Sequence, residues 1–566
     1  MSDFPTISRR AVLGGLAAAL GQSLAPMPGH AALSCPNACR SMIGPGDRWI
    51  KGLPIIDAHC HIFNARDIPA AHFITKVALP HHAIYLNDRQ RAVLEREIEN
   101  LMGSALTDTP GFAQERAALQ ARLAGEPLQG SLASTPGLPR FASGSETSCW
   151  GKDVAHSISA VRNFVNVLTG FRYRNFEALV ETYRSDLDGV GVALFTPAMV
   201  DMDFWLDAAR DPAASVGDVG EDVTALAQTS PAQQVELMEM VQRLNPGRCH
   251  GFVSFCPWRQ VDDIHHNAEF AHDPSRRRQT ALEVVEDAIL NRGFVGVKLY
   301  PPMGFRPFGN VEIPLEGFPS YAAAMPYAER FGERLDQALL ALYRFCVTHD
   351  VPIMTHCAPT NGVGEDGDGI SHAERADPKY WRRVLDAAGL SGLRLNLAHF
   401  GAAGLDGEVG GVDGAWRKTI GALMDTHAHV YADMAYFPHV LADNFTGSGQ
   451  HCREAAEILE PIRKQFLARP AGDIRVRRLL YGSDWSMLSK EFYYADYLAV
   501  FAHMYRRKIY GVGGGAERNA RAFLAGNAVR FLGLRKGDKA RARLDAWYAR
   551  HGLDARLLER FDLVEA

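Results

Sequence analysis

Two histidines separated by one residue, His59 and His61, sit at the end of the apolar run Leu53-Pro54-Ile55-Ile56-Asp57-Ala58. In an extended strand, residues two apart point to the same face. The two imidazoles would therefore aim at one point, where a buried strand runs out. That arrangement suits a metal ion, and a packed pair capping a turn is the competing reading. Other apolar runs end in similar groups: Lys298 after Phe294-Val295-Gly296-Val297, His356 after Val351-Pro352-Ile353-Met354-Thr355, His399 after Leu393 to Ala398, and Asp484 after Arg478 to Ser483. The imidazoles of His59, His61 and His356 with the Asp484 carboxylate make a nitrogen and oxygen set that suits Zn²⁺, with Fe²⁺, Mn²⁺ and Co²⁺ as alternatives. An ion with an open position would lower the pKa of water toward neutrality. Asp484 could both touch the ion and take the proton. His399 could polarise a substrate carbonyl or stabilise the anion that forms.

These residues need a scaffold that brings strand ends together. Runs of strand type alternate with helical periodicities, which argues a parallel sheet. The strands are expected at 53–63, 189–195, 251–255, 294–300, 351–356, 393–399, 429–433 and 478–484. Eight such units argue an α/β fold of the (β/α)₈ TIM-barrel class, with an open doubly wound sheet as the alternative. In a barrel the C-terminal strand ends share one face, where active sites lie. Ser230-Pro231 offers an N-cap and a first-turn proline to the helix after the second strand. A helical insertion, about 65–185, follows the first strand and reads as a lid or cap. It holds helical stretches at 88–124 and 154–184 around a Gly/Ser/Pro-rich loop at 125–150. The expected segments are 1–33 (signal peptide), 34–52 (N-terminal extension), 53–535 (barrel) and 536–566 (C-terminal helical tail).

Composition narrows the partners. The 566 residues are 47% hydrophobic and 22% charged, ordinary for a globular protein. A net charge of −5 with no basic block argues against nucleic acid. Ser8-Arg9-Arg10-Ala11-Val12-Leu13, followed by a short small-residue apolar run, reads as a twin-arginine export signal and a periplasmic location. No run approaches an integral membrane span. Of nine cysteines, Cys35 and Cys39 could pair after export. Cys60, Cys249, Cys256, Cys346 and Cys357 read as small buried hydrophobes. The adjacent pairs His81-His82 and His265-His266 read as surface or loop residues, because adjacent side chains diverge. Asp433 ends the seventh strand and could orient a ligand or serve structure alone. Arg306 could clamp a substrate carboxylate or lie solvated. Ser483 lacks an obvious base, and Trp485 is expected to pack beside Asp484.

In order along the chain, several stretches resemble motifs of the amidohydrolase superfamily, in its amidohydrolase-related branch. They are Asp57-Ala58-His59-Cys60-His61, Gly296-Val297-Lys298-Leu299-Tyr300-Pro301-Pro302, Thr355-His356-Cys357, Ala398-His399-Phe400-Gly401, Tyr481-Gly482-Ser483-Asp484-Trp485 and the closing Gly526-Asn527-Ala528-Val529-Arg530-Phe531-Leu532-Gly533-Leu534. The resemblance implies a metal-dependent barrel enzyme with one metal, usually zinc, held by His59, His61, His356 and Asp484, and with His399 assisting catalysis or binding metal. It implies for Lys298 either a carboxylated bridge to a second metal or, as favoured here, contact with a substrate anion or neighbouring carboxylate. The expected activity is hydrolysis of an amide, lactone or ester of a small molecule. A metal-dependent decarboxylase or other lyase is the alternative, and a non-catalytic ligand-binding barrel the third reading. Relatives are often homodimers.

Overall fold

The computed structural model describes residues 52–70, 73, 109–126, 167–183, 191–204, 228–318, 322–323, 325–359, 372–401, 415–437, 473, 475–489, 494–506 and 515–564. The expected export signal, Cys35, Cys39, and residues 74–108 (His81 and His82 among them) and 127–166 of the expected insertion lie outside the described residues.

Strand β1 (Ile55–Cys60) is followed by α1 (Phe112–Leu123) and α2 (Arg172–Thr182). Next come β2 (Val192–Pro197), α3 (Pro231–Leu244), β3 (Phe252–Ser254), α4 (Pro257–Glu269) and α5 (Ala281–Asn291). After these follow β4 (Gly296–Leu299), α6 (Phe331–His349), β5 (Ile353–His356), α7 (Lys379–Leu385), β6 (Leu395–Ala398) and α8 (Ala415–Thr426). The chain continues through β7 (Val430–Asp433), β8 (Leu479–Leu480), α9 (Trp485–Leu488), α10 (Tyr497–Arg506), α11 (Gly515–Arg521), α12 (Asn527–Leu532) and α13 (Lys539–His551). Ser230 caps α3 as its type predicts, accepting from the Gln233 amide while the Gln233 side chain returns the bond, with Pro231 in the first turn. Helix α4 has no counterpart among the expected elements. It carries His265 and His266, the latter bonded to the Arg276 carbonyl at 2.9 Å.

All strand pairs are parallel and follow chain order: β1 with β2, and β3 through β8 in succession. Backbone bonds between the two sets close the ring. Phe195 N donates to Arg248 O (2.9 Å) and Met199 N to Phe252 O (2.9 Å) on one side. On the other, Ala58 N donates to Tyr481 O (3.0 Å) and Asp484 N to His59 O (2.7 Å). This is the (β/α)₈ barrel, and closure leaves no free edge.

The inside of the barrel is layered, because residues two apart on a strand share a face. Phe531 of α12 plugs the lower end, its ring stacked on Phe252 and close to Tyr431. Gly296 is needed here: a Cβ would fall 2.2 Å from Cε1 of Phe252. Two residues further along these strands stand Lys298 and Asp433, both buried. Apolar material thus fills the bottom and polar groups line the next layer up. The expected buried cysteines, Cys60, Cys249, Cys256, Cys346 and Cys357, are buried free thiols. Helix α13 closes the underside, where Tyr548 Oη accepts from Gly247 N and donates to His250 Nε2.

Strands β1, β3, β4, β6 and β8 stop short of their expected C-terminal ends. His61, His399 and Asp484 each stand just past a strand, in turns. Three non-glycine residues after β6 and β8 adopt left-handed φ: His399 (63°), Phe400 (46°) and Asp484 (49°). Such conformations are sparsely populated and persist only when their surroundings hold them.

Candidate metal centre

Asp57 anchors the site from within β1. Its Oδ1 accepts from Ser483 N (2.9 Å) and His59 N (3.3 Å), and its Oδ2 from Ser483 Oγ (2.6 Å). Burial pushes the Asp57 carboxyl up to about 7, against the pull of the Ser483 bonds. The pair ties β1 to the turn after β8, so the Asp484 backbone is held beside His59. Ser483 is therefore a donor to Asp57 rather than a nucleophile. Trp485, fully buried, packs behind Asp484 as expected.

Hydrogen bonds decide the tautomer of three histidines. His61 Nδ1 lies 2.7 Å from Ala198 O, and His399 Nδ1 lies 2.9 Å from Ala435 O. A carbonyl oxygen can only accept, so both Nδ1 atoms carry hydrogen and both Nε2 atoms present lone pairs. His59 Nδ1 lies 3.0 Å from the Asp433 carboxylate, and its Nε2 lies 3.0 Å from Lys298 Nζ. An ammonium can only donate, so His59 is the same tautomer from both ends. Burial pushes His61 down to about 3 and His399 to about 4, so both are neutral at pH 7. Burial, with the charges around it, also pushes His356 well below the usual range.

Asp484 completes the cluster. Its Oδ1 lies 3.6 Å from His61 Nε2 and is buried without a hydrogen bond. Burial raises its carboxyl, but His61, His59, His399 and Lys298 outweigh that and hold it below the ordinary range. His59, His61 and Asp484 bring one ligand atom each within 4.8 Å of one another. The set His59, His399 and Asp433 does the same, and these are the two such sets among the described residues. His356 belongs to neither, although its ring centroid stands 4.7 Å from that of His399 and 4.8 Å from that of Tyr300. Neutral imidazole lone pairs around an ionised, unbonded carboxylate oxygen fit a divalent metal.

The structure changes two expectations. His399 cannot polarise a carbonyl as a neutral donor, because its one N–H is spent on Ala435 O. Its free nitrogen accepts. Arg306 does not reach the centre: its guanidinium lies over Tyr380 (4.7 Å) and 3.8 Å from Glu312, on the loop above α6 and α7. Lys298 does reach it. Burial pushes its ammonium down to about 8, against the pull of Asp433 and Asp484, and it also meets Met354 Sδ at 3.4 Å. An apolar recess beside β3 and β4 is lined by Phe204, Cys256, Trp258, Met303, Phe305 and Phe318.

The sequence profile described as amidohydrolase matches residues 202–534, more than half of the chain. The chain belongs to the amidohydrolase family. Its superfamily is one of metal-dependent enzymes, and this amidohydrolase carries a donor set to match. Strand β1 with His59, and His61 just past it, lie outside the matched residues and join the centre through the barrel. No curated protein matches the chain. Among solved structures, similarity is found to 4-oxalomesaconate hydratase from Rhodopseudomonas palustris (14% identity, TM-score 0.33, covering 88% of this chain and 98% of that one). It is also found to a dihydroxybenzoic acid decarboxylase from Polaromonas sp. JS666 with bound manganese (16%, 0.31, 69% and 94%). A third is a probable 2-pyrone-4,6-dicarboxylic acid hydrolase from Acinetobacter baumannii (13%, 0.29, 63% and 88%). Among the described residues no helix is long and apolar enough to cross a membrane.

Proposed function

We propose that this amidohydrolase hydrolyses an amide, lactone or ester of a small molecule. The observation that carries the reading is the common tautomer of His59, His61 and His399, which leaves a lone pair on each Nε2, that of His59 turned to Lys298 Nζ, beside the unbonded Asp484 Oδ1. His59, His61, His356 and Asp484 would hold one divalent ion, zinc in this reading. Bound there, the ion supplies Lewis acidity toward a carbonyl and makes water a nucleophile at neutral pH. Asp484, ionised, accepts the proton of the attacking water and returns it to the leaving nitrogen or oxygen. His399 Nε2 accepts the second hydrogen of that water and so orients it.

Metal analysis of the purified protein and turnover of lactones and N-acyl compounds in ¹⁸O-water test this. One metal per chain and one ¹⁸O in the product are expected. Metal-free protein with chelator-indifferent activity would sink the reading. One observation favours a lyase as the second reading: Lys298, a buried ammonium at the centre, could hold a substrate carboxylate. Release of CO₂ with no ¹⁸O in the product would select it. The Ser8-Arg9-Arg10-Ala11-Val12-Leu13 stretch supports export by the twin-arginine route. Replacing Arg9 and Arg10 by Lys should then retain the protein in the cytoplasm.

A further inference from the structure

We infer that Asp433, at the end of β7, is the positioning residue that sets the metal affinity of the centre, and that it is not itself a ligand. The inference rests on the proposal that His59 binds metal.

The argument is an inventory of lone pairs. An ionised carboxylate offers about four acceptor sites. Asp433 Oδ1 accepts from His399 N (2.9 Å) and Ala435 N (3.1 Å). Its Oδ2 accepts from Asn396 Nδ2 (2.7 Å) and faces His59 Nδ1–H at 3.0 Å. All four positions are taken, so none remains for a cation. The contrast with Asp484, whose Oδ1 is buried and unbonded, separates the two carboxylates of one centre by role. The set of His59, His399 and Asp433 therefore meets a distance criterion without being a site.

The four bonds reach β1, β6 and the turn after β7. The bond to His59 keeps hydrogen on Nδ1 and the lone pair on Nε2. The bond to His399 N holds a backbone that sits at φ 63°, a conformation that needs external support. One side chain thus aims a proposed ligand and a proposed hydrogen-bond acceptor for the water together. Partners of this kind on ligating histidines change metal affinity 10–100-fold when removed.

Asp433→Asn tests this by metal content. The substituted oxygen can still accept from His399 N and Ala435 N. Its NH₂ faces His59 Nδ1 and forces hydrogen onto Nε2, where it blocks coordination. Metal retained after dialysis against graded chelator, and the visible absorption of the Co²⁺-loaded protein, read the effect without turnover. A 10–100-fold loss of affinity is expected in Asp433→Asn. Asn396→Ala removes one of the four bonds and leaves His59 untouched, so it should bind within about threefold of wild type. Equal losses in both variants, or no loss in Asp433→Asn while wild type binds metal, would overturn the inference. A wild type that binds no metal would instead overturn the proposed function. Should Asp433→Asn not fold, the ring ¹⁵N shifts of metal-free wild type decide, with the His59 signals assigned by their loss in His59→Gln. Hydrogen on Nδ1 supports the inference, and hydrogen on Nε2 overturns it.

Discussion

Replacing Arg172 by Met should loosen the packing of α1 and α2, and by more at pH 7.5 than at pH 5.5. Arg172 is 1% exposed, and its Nη2 lies 2.9 Å from both oxygens of Asp67 and 3.4 Å from Glu115 Oε2. Asp67 follows His61 closely and also accepts from Asn64 N at 2.9 Å. The cluster therefore joins α1 and α2 to the turn that leaves the proposed metal centre. Without the guanidinium, two buried carboxyls lack a counter-charge and must take up protons. Neutralising a carboxyl of ordinary value about 3.9 costs about 5 kcal/mol at pH 7.5 and about 2 kcal/mol at pH 5.5, at 1.36 kcal/mol per unit. The larger figure agrees with the roughly 3–5 kcal/mol lost when one partner of a buried ion pair is removed. Glu115 adds little, because burial already pushes it up to about 7. Hydrogen exchange read by mass spectrometry on peptides from 109–126 and 167–183 measures the local opening. Corrected for intrinsic rates, exchange should accelerate on the order of a thousandfold at pH 7.5 and some tenfold to a hundredfold at pH 5.5. Equal acceleration at the two pH values, or none, would refute the claim that a buried charge pair holds α1 and α2 in place.

Gly482→Ala should cost about 1–3 kcal/mol by overpacking and lower metal content, because its Cβ would fall 2.9 Å from His59 Cβ and 3.2 Å from Ala435 Cβ; thermal unfolding and metal analysis check both. Glu115→Gln should flatten one limb of the stability–pH curve. The Glu115 pKa is raised by burial, so its contribution is complete below about 4.5 and lost as pH rises through about 7, roughly 3 kcal/mol in all. Parallel denaturant titrations of wild type and variant at pH 5 and pH 8 would show no difference in slope with pH if this is wrong. Lys298→Met should keep one metal per chain; a fall in stoichiometry from two to one would assign the lysine to a bridge instead.

The barrel, and the gathering of imidazole and carboxylate groups at its mouth, were legible because both rest on local pattern. Period-two and period-3.6 alternation marks strands and helices, and the groups at the ends of successive apolar runs carry the register of a parallel barrel. Ser230 and Pro231 announced α3 in the same way, through backbone chemistry confined to one turn. Helix α4 escaped notice because its amphipathic face spans few apolar residues, Trp258 and Val261 among them. Other features depend on groups far apart in sequence. Asp433 on β7 could have been any buried carboxylate until closure of the ring placed His59, 374 residues away, within 3.0 Å of it. The Ala198 and Ala435 carbonyls, which decide the tautomers of His61 and His399, have no side-chain signature at all. The role of His399 turned on one of them. Residue type offered an imidazole able to donate or accept a hydrogen bond, and only the carbonyl beside Nδ1 decided that its free nitrogen accepts. Sequence by itself thus determined which side chains could ligate and that they share a face. Tertiary structure alone decided which nitrogen each presents and which carboxylate is left open, because hydrogen-bond satisfaction is settled between neighbours in space.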